Sequence, residues 1–166
     1  PPTAEFAAKA RIPSLAAYEK LWNEAAADVE KFWGSMGNEL HWFKPYSKVL
    51  EWNEPYAKWF VGGETNLCHN AVDRHLELRG EQKALVYIST EVDQQRSFTY
   101  SELHVEVQRV AAMMQSLGVQ RGDRVIIYMP MIPQACFAML ACARIGAVHS
   151  VVFGGFAPAS LAARID

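Results

Sequence analysis

A chain of 166 residues, 51% hydrophobic and 20% charged, holds enough apolar material for a core and too little charge for a disordered segment. Its net charge of −2 offers no electrostatic footprint for nucleic acid or an anionic membrane, and no apolar run approaches the roughly 20 residues that span a bilayer. Cys68, Cys136 and Cys142 include no Cys-x-x-Cys pair, so free thiols in a reducing, cytoplasmic compartment are expected.

Residues 1–13 read as a loose arm without a signal-peptide core. From Ser14, a plausible N-cap, Leu15, Tyr18, Trp22, Ala25, Val29 and Phe32 fall on one stripe at helical steps. Asp28 can cap a second helix, so two helices are expected to meet near Ala27, and Gly34 and Gly37 to stop the pattern. Residues 38–63 look irregular and dense in aromatic rings, among them Trp42, Phe43, Tyr46, Trp52, Tyr56, Trp59 and Phe60. Such a segment needs large side chains to anchor it to a neighbouring surface. Thr65 or Asn66 caps a helix expected to reach about Leu78 and to end at Gly80.

Ala84 to Ile88 reads as a strand, 91–96 as a polar turn, and Ser97-Phe98 as the returning chain. Thr99-Tyr100-Ser101-Glu102 is a capping box, with Phe98 and Leu103 in the places of a hydrophobic staple. The following helix carries Leu103, Val107, Val110, Met114 and Leu117 inward and ends at Gly118. Gln120 to Asp123 is a turn. Val125 to Met129 is apolar on both faces, as in a parallel strand covered by helices on both sides. Pro133 opens a crossover helix closed by Gly146, and Val148 to Phe153 is the next strand. Residues 158–166 begin a helix without room to finish.

The glycine doublet Gly154-Gly155 follows that last strand, where open α/β sheets present backbone to ligands. Two readings stand: a tight turn needing positive φ, or close approach of a ligand to backbone amides. The pair fits neither the dinucleotide fingerprint nor a phosphate loop ending in Lys and Ser or Thr. Cys68, His69, Asp73 and His75 fan around a helix and make a poor metal set. His104, Glu102 and Glu106 read as solvated groups on a capped helix, and His149 as an interior histidine.

Phe98-Thr99-Tyr100-Ser101-Glu102-Leu103 and Cys142-Ala143-Arg144-Ile145-Gly146-Ala147-Val148 resemble early motifs of the adenylate-forming acyl-CoA synthetases. Tyr128-Met129-Pro130-Met131 and His149 through Phe156 narrow the resemblance to the acetyl- and propionyl-CoA synthetase branch. Trp42-Phe43-Lys44-Pro45 and Asn66-Leu67 through Leu76 look like the N-terminal segment of that branch. The family joins a short carboxylate to CoA through an acyl-adenylate, using ATP and magnesium and releasing pyrophosphate and then AMP. The resemblance implies an N-terminal segment over 1–81 and the beginning of an AMP-binding domain over 82–166. The implied fold is an incomplete α/β one: a partial parallel sheet with crossover helices, preceded by a helical, loop-rich aromatic stretch.

The family's catalytic lysines, magnesium site and adenylate contacts lie downstream of this stretch, so no catalytic residue and no metal ligand is expected here. What carries over is the turn beside the CoA nucleotide, which makes Phe153, Gly154 and Gly155 the expected cofactor-binding residues. Acetate is the first expectation for the acid and propionate the alternative; a stand-alone nucleotide-binding or interaction module is the rival outside the family. The 166 residues alone are expected to be inactive, to bind no cofactor tightly and, with three parallel-type strands left with unpaired edges, to self-associate.

Overall fold

A computed structural model describes residues 2–155 and 158–165, with Phe153 described in its backbone only. The chain divides into two compact units, Pro1–Glu64 and Thr65–Asp166.

The first unit opens with α1 (Ala4–Lys9), where an unstructured arm is predicted; Thr3 accepts the Phe6 amide and so caps this turn-and-a-half of helix. Ser14 caps α2 (Leu15–Ala27) through the Ala17 amide, as its position predicts. Asp28 acts twice: its backbone N–H ends α2 on the Glu24 carbonyl, and its carboxylate caps α3 (Val29–Gly37) through the Lys31 amide at 2.9 Å. The predicted stripe of α2 is helical in spacing, yet the helix buries none of its residues.

An antiparallel hairpin follows where irregular chain is predicted, β1 (Lys48–Asn53) against β2 (Tyr56–Val61), joined by Glu54 and the cis-linked Pro55. Neither strand has a buried face, so no alternation of apolar and polar residues marks it in the sequence. The rings make their own small cluster: Trp42, Tyr46 and Phe60 lie with centroids 5.1–5.3 Å apart. The Trp42 indole donates to the Gly37 carbonyl at 2.8 Å. A Cβ on Gly37 would stand 2.7 Å from the Phe60 ring, and one on Gly34 3.2 Å from Val49. The two glycines, one turn apart, therefore let α3 settle on the cluster and the hairpin; Gly34 lies inside the helix it is predicted to stop.

The second unit begins with α4 (Leu67–Ala71), capped by Asn66 through the His69 amide. The predicted continuous helix breaks at Val72, turns through a short 3-10 segment at Asp73–His75, and resumes as α5 (Leu76–Arg79). The break has a packing reason, since Val72 leaves helical backbone while its side chain enters the core beside Cys68. Then come β3 (Lys83–Ser89) and β4 (Gln94–Thr99), an antiparallel pair forming its own sheet. The strand at 84–88 is thus not a third parallel strand, because the short polar turn returns the chain beside it. Both halves of the capping box form at the start of α6 (Tyr100–Ser116), and Phe98 and Leu103 are buried in one cluster. Leu117, predicted inward, lies outside as the helix ends.

Strands β5 (Arg124–Met129) and β6 (Val148–Phe153) pair in parallel, in step from Arg124↔Val148 to Met129↔Phe153, across the helix α7 (Pro133–Ile145). Helices α6 and α7 end alike. Gly118 at φ +90 is followed by a Val119-to-Met114 bond, and Gly146 at φ +74 by an Ala147-to-Cys142 bond, so left-handed glycines satisfy the last carbonyls of both. The two strand starts are tied, since the Gly122 amide donates to the Gly146 carbonyl and Val148 to Asp123. The described chain closes with α8 (Pro158–Ile165). The core gathers Val107, Ala111 and Met114 of α6, Phe137, Ala138, Ala141 and Cys142 of α7, and Ile127 of β5.

Candidate functional site

Because Met129 stands opposite Phe153, the chain leaves both parallel strands at the same edge. Pro130 and Met131 follow β5, and Gly154 and Gly155 follow β6, both glycines exposed. The end of β3 and its turn, from Tyr87 to Glu91, supply the facing wall of a cleft of about 560 Å³. This is the carboxyl end of the parallel pair, where open α/β sheets receive ligands. A hollow of about 590 Å³ at the opposite end, near Asp123 and Arg124, contains none of the predicted site residues.

The predicted residues Gly154 and Gly155 both line the cleft; Phe153 ends β6, and its side chain lies outside the described residues. Gly154 has no positive φ, which removes that reason for a glycine there. A Cβ at 154 would instead sit 3.3 Å from the Met129 carbonyl carbon and the Pro130 nitrogen, so the turn lies flat on the end of β5. The Tyr128 hydroxyl donates to the Gly154 carbonyl at 3.1 Å and steadies the turn. Of the other residues lining the cleft, Ser89 and Thr90 went unmarked in the sequence, Glu91 entered only as the start of a polar turn and Met131 only within the run Tyr128 to Met131.

A second polar group lies apart from the cleft. The Asp73 carboxylate receives Arg144 Nη2 at 2.7 Å and has His104 Nε2 at 3.3 Å, with the Asp73 and Arg144 side chains only 21% and 24% exposed. Asn66 Nδ2 donates to the Ala143 carbonyl at 2.8 Å, so the α4 segment is held to the end of α7. His104, expected in solvent, is therefore folded onto Asp73, and Glu102 is occupied in the capping box while Glu106 pairs with Arg109. His149 is half-buried in β6, opposite Val125. Burial pushes the Cys68 thiol up, partly offset by Arg144, and burial also raises the Cys142 thiol. Both remain neutral packing groups rather than nucleophiles. Among the described residues no three His, Cys, Asp or Glu side chains form a group able to hold a metal, and no helix is long and apolar enough to cross a membrane.

Residues 72–166 match the family described as AMP-binding enzyme, and the chain belongs to that family. Residues 18–71 match a second family, described as acetyl-coenzyme A synthetase N-terminus. Among relatives, the propionate–CoA ligase of Salmonella typhimurium is 53% identical over 150 residues, covering 90% of this chain and 24% of the ligase. The acetyl-coenzyme A synthetase of Deinococcus radiodurans is 48% identical over 166 residues, covering 99% of this chain and 25% of the synthetase. The structure of the acetoacetyl-CoA synthetase from Streptomyces lividans superposes with a TM-score of 0.84 at 30% identity, over 99% of this chain and 28% of that one. The chain thus spans about a quarter of the length of the curated relatives it matches.

Proposed function

We propose that this chain is the N-terminal part of an AMP-forming acid–thiol ligase that makes acetyl-CoA. The carboxylate of acetate attacks the α-phosphate of ATP, giving acetyl-adenylate and pyrophosphate. The CoA thiol then attacks the acyl carbon, and AMP leaves. Magnesium, bound elsewhere in the longer protein, would balance the charge of the phosphates. Within this division the first 81 residues form the N-terminal segment and 82–166 open the AMP-binding domain, in a cytoplasmic enzyme. The part played by the present residues is to receive the CoA nucleotide at Phe153, Gly154 and Gly155. The observation that carries the reading is the in-step parallel pair, which delivers the glycine doublet to the rim of an open cleft.

Gly155 is the position to test, because a side chain at Gly154 would disturb the end of β5. In the longer ligase, Gly155→Val is expected to raise KM for CoA at least tenfold, about 1.4 kcal/mol, while pyrophosphate release from acetate and ATP without CoA stays within twofold. An unchanged KM for CoA would reject the assignment. The 166 residues alone are expected to release no pyrophosphate and to self-associate in sedimentation; turnover, or a clean monomer, would count against this.

Propionate is a second reading, favoured by the 53% identity to the propionate–CoA ligase. One methylene is worth about 1–3 kcal/mol in an apolar pocket, so the ratio of kcat/KM for acetate and propionate separates the two by tenfold or more.

A further inference from the structure

We propose that Tyr128 is a positioning residue: its hydroxyl fixes which way the peptide between Gly154 and Gly155 faces, and so keeps the turn in the form that can receive an anion. The inference rests on the reading that CoA meets the chain at this turn. It adds a residue outside the cleft that sets how many molecules are ready for the thiol.

Packing does not explain a tyrosine at 128. Within Val125-Ile126-Ile127-Tyr128-Met129 the buried residue is Ile127, which joins the core; Tyr128 is 43% exposed and stands outside that core. Neighbours on a strand point to opposite faces, so Tyr128 projects away from the side that Ile127 fills. A hydroxyl this open can bond to water, and burial does not compel it to find a protein partner. It nevertheless crosses 26 residues of sequence to donate to the Gly154 carbonyl at 3.1 Å.

That bond decides more than the place of one oxygen. A trans peptide is planar, with its C=O and N–H on opposite edges. Turning the Gly154 carbonyl to Tyr128 therefore turns the Gly155 N–H the other way. Gly154 and Gly155 line the cleft and Tyr128 does not, so the N–H is turned to the cleft side. Among the described residues this amide donates to no backbone carbonyl. The sequence also makes the plane easy to rotate, because a glycine on each side accepts the half-turn that exchanges C=O for N–H. A rotated turn would offer an oxygen where it now offers a donor, and would repel phosphate. Tyr128 thus sets the fraction of competent molecules, and apparent affinity falls in proportion to that fraction. Saturating ligand draws the population back, so the maximal rate is spared.

The test is steady-state kinetics of the longer ligase with CoA and with pantetheine, the thiol arm without its nucleotide. Tyr128→Phe keeps the ring and removes the hydroxyl. It is expected to raise KM for CoA about three- to tenfold, the range that one neutral hydrogen bond covers. The kcat at saturating CoA and the KM values for ATP and for the acid should stay within about twofold. KM for pantetheine should stay within about twofold as well, since that thiol has no phosphate to meet the amide. An unchanged KM for CoA, an equal rise for both thiols, or a fall in kcat with KM unmoved overturns the proposal. Gly155→Val separates the two levels. If it raises KM for CoA and Tyr128→Phe does not, the turn receives CoA without help from the phenol; if neither variant moves KM, the reading of the turn fails as well.

Discussion

The two units treat their apolar residues in opposite ways. In Thr65–Asp166 the buried hydrophobic residues run from Cys68 to Val152 and close around α6 and α7. In Pro1–Glu64 lie all five tryptophans, yet Trp22 and Trp52 are each 65% exposed and Gly37 is the buried residue of α3. The difference lies in how the surfaces meet. Small and aliphatic side chains on two crossing helices interlock without gaps. Bulky rings on a two-stranded ribbon and short helices touch edge to face and leave their outer surfaces bare. An aromatic-rich stretch is therefore no guide by itself to where a core sits.

The sharpest way to break this contrast is Phe137→Ala. Phe137 is buried and meets Phe98 edge to face at 5.3 Å, so its truncation is expected to cost about 3–5 kcal/mol in denaturant unfolding followed by far-ultraviolet circular dichroism. Tryptophan fluorescence reports the first unit alone, since no tryptophan lies beyond Trp59. A fluorescence transition shifted as far as the dichroism would mean that the units unfold together.

A smaller effect is expected from Asp73→Ala. It strands Arg144 and His104, partly buried, without their shared carboxylate, at a cost of about 2–3 kcal/mol. Asp73→Asn should lose less, because its amide oxygen still accepts from Arg144. A loss under 0.5 kcal/mol in the alanine variant would show the cluster to be idle. The smallest change is expected at the other unit's surface, where Trp52→Ser should stay within about 0.5 kcal/mol. A loss above 1 kcal/mol by the same measurement would mean that the ring is covered in solution, and that the first unit has a core after all.

Signals that act over a few residues were legible in the sequence. Ser14, Asp28, Asn66 and Thr99 cap helices where their side chains can reach an amide three residues on. The parallel pair was legible too, from the apolar run at 125–129 and the valines of 148–152 on either side of a helical stretch. Yet the strands bury Ile127 and Val152 and leave Tyr128, Val148 and Val151 exposed, so the covering by helices on both faces that the run suggests is not found. The hairpin at Lys48–Val61 was not, since strands without an inward face carry no period of two. Nor was the Asp73, His104 and Arg144 cluster, whose members lie 31 and 71 residues from Asp73 and meet only through tertiary packing. The lining of the cleft was half legible. Gly154 and Gly155 were marked by their place after a buried strand, while Glu91 and Met131 join them only because a second hairpin folds across the same edge.

The bond between Gly122 and Gly146 ties the starts of both parallel strands at the end opposite the glycine turn. A side chain at 146 would meet the φ of +74 and stand 3.0 Å from Arg121, pressing on the joint from which both strands start. Each strand runs six residues, about 17–20 Å, from that joint to the edge where the glycine turn lies. Gly146 thus offers a place to perturb the base of the parallel pair without altering any residue that lines the cleft.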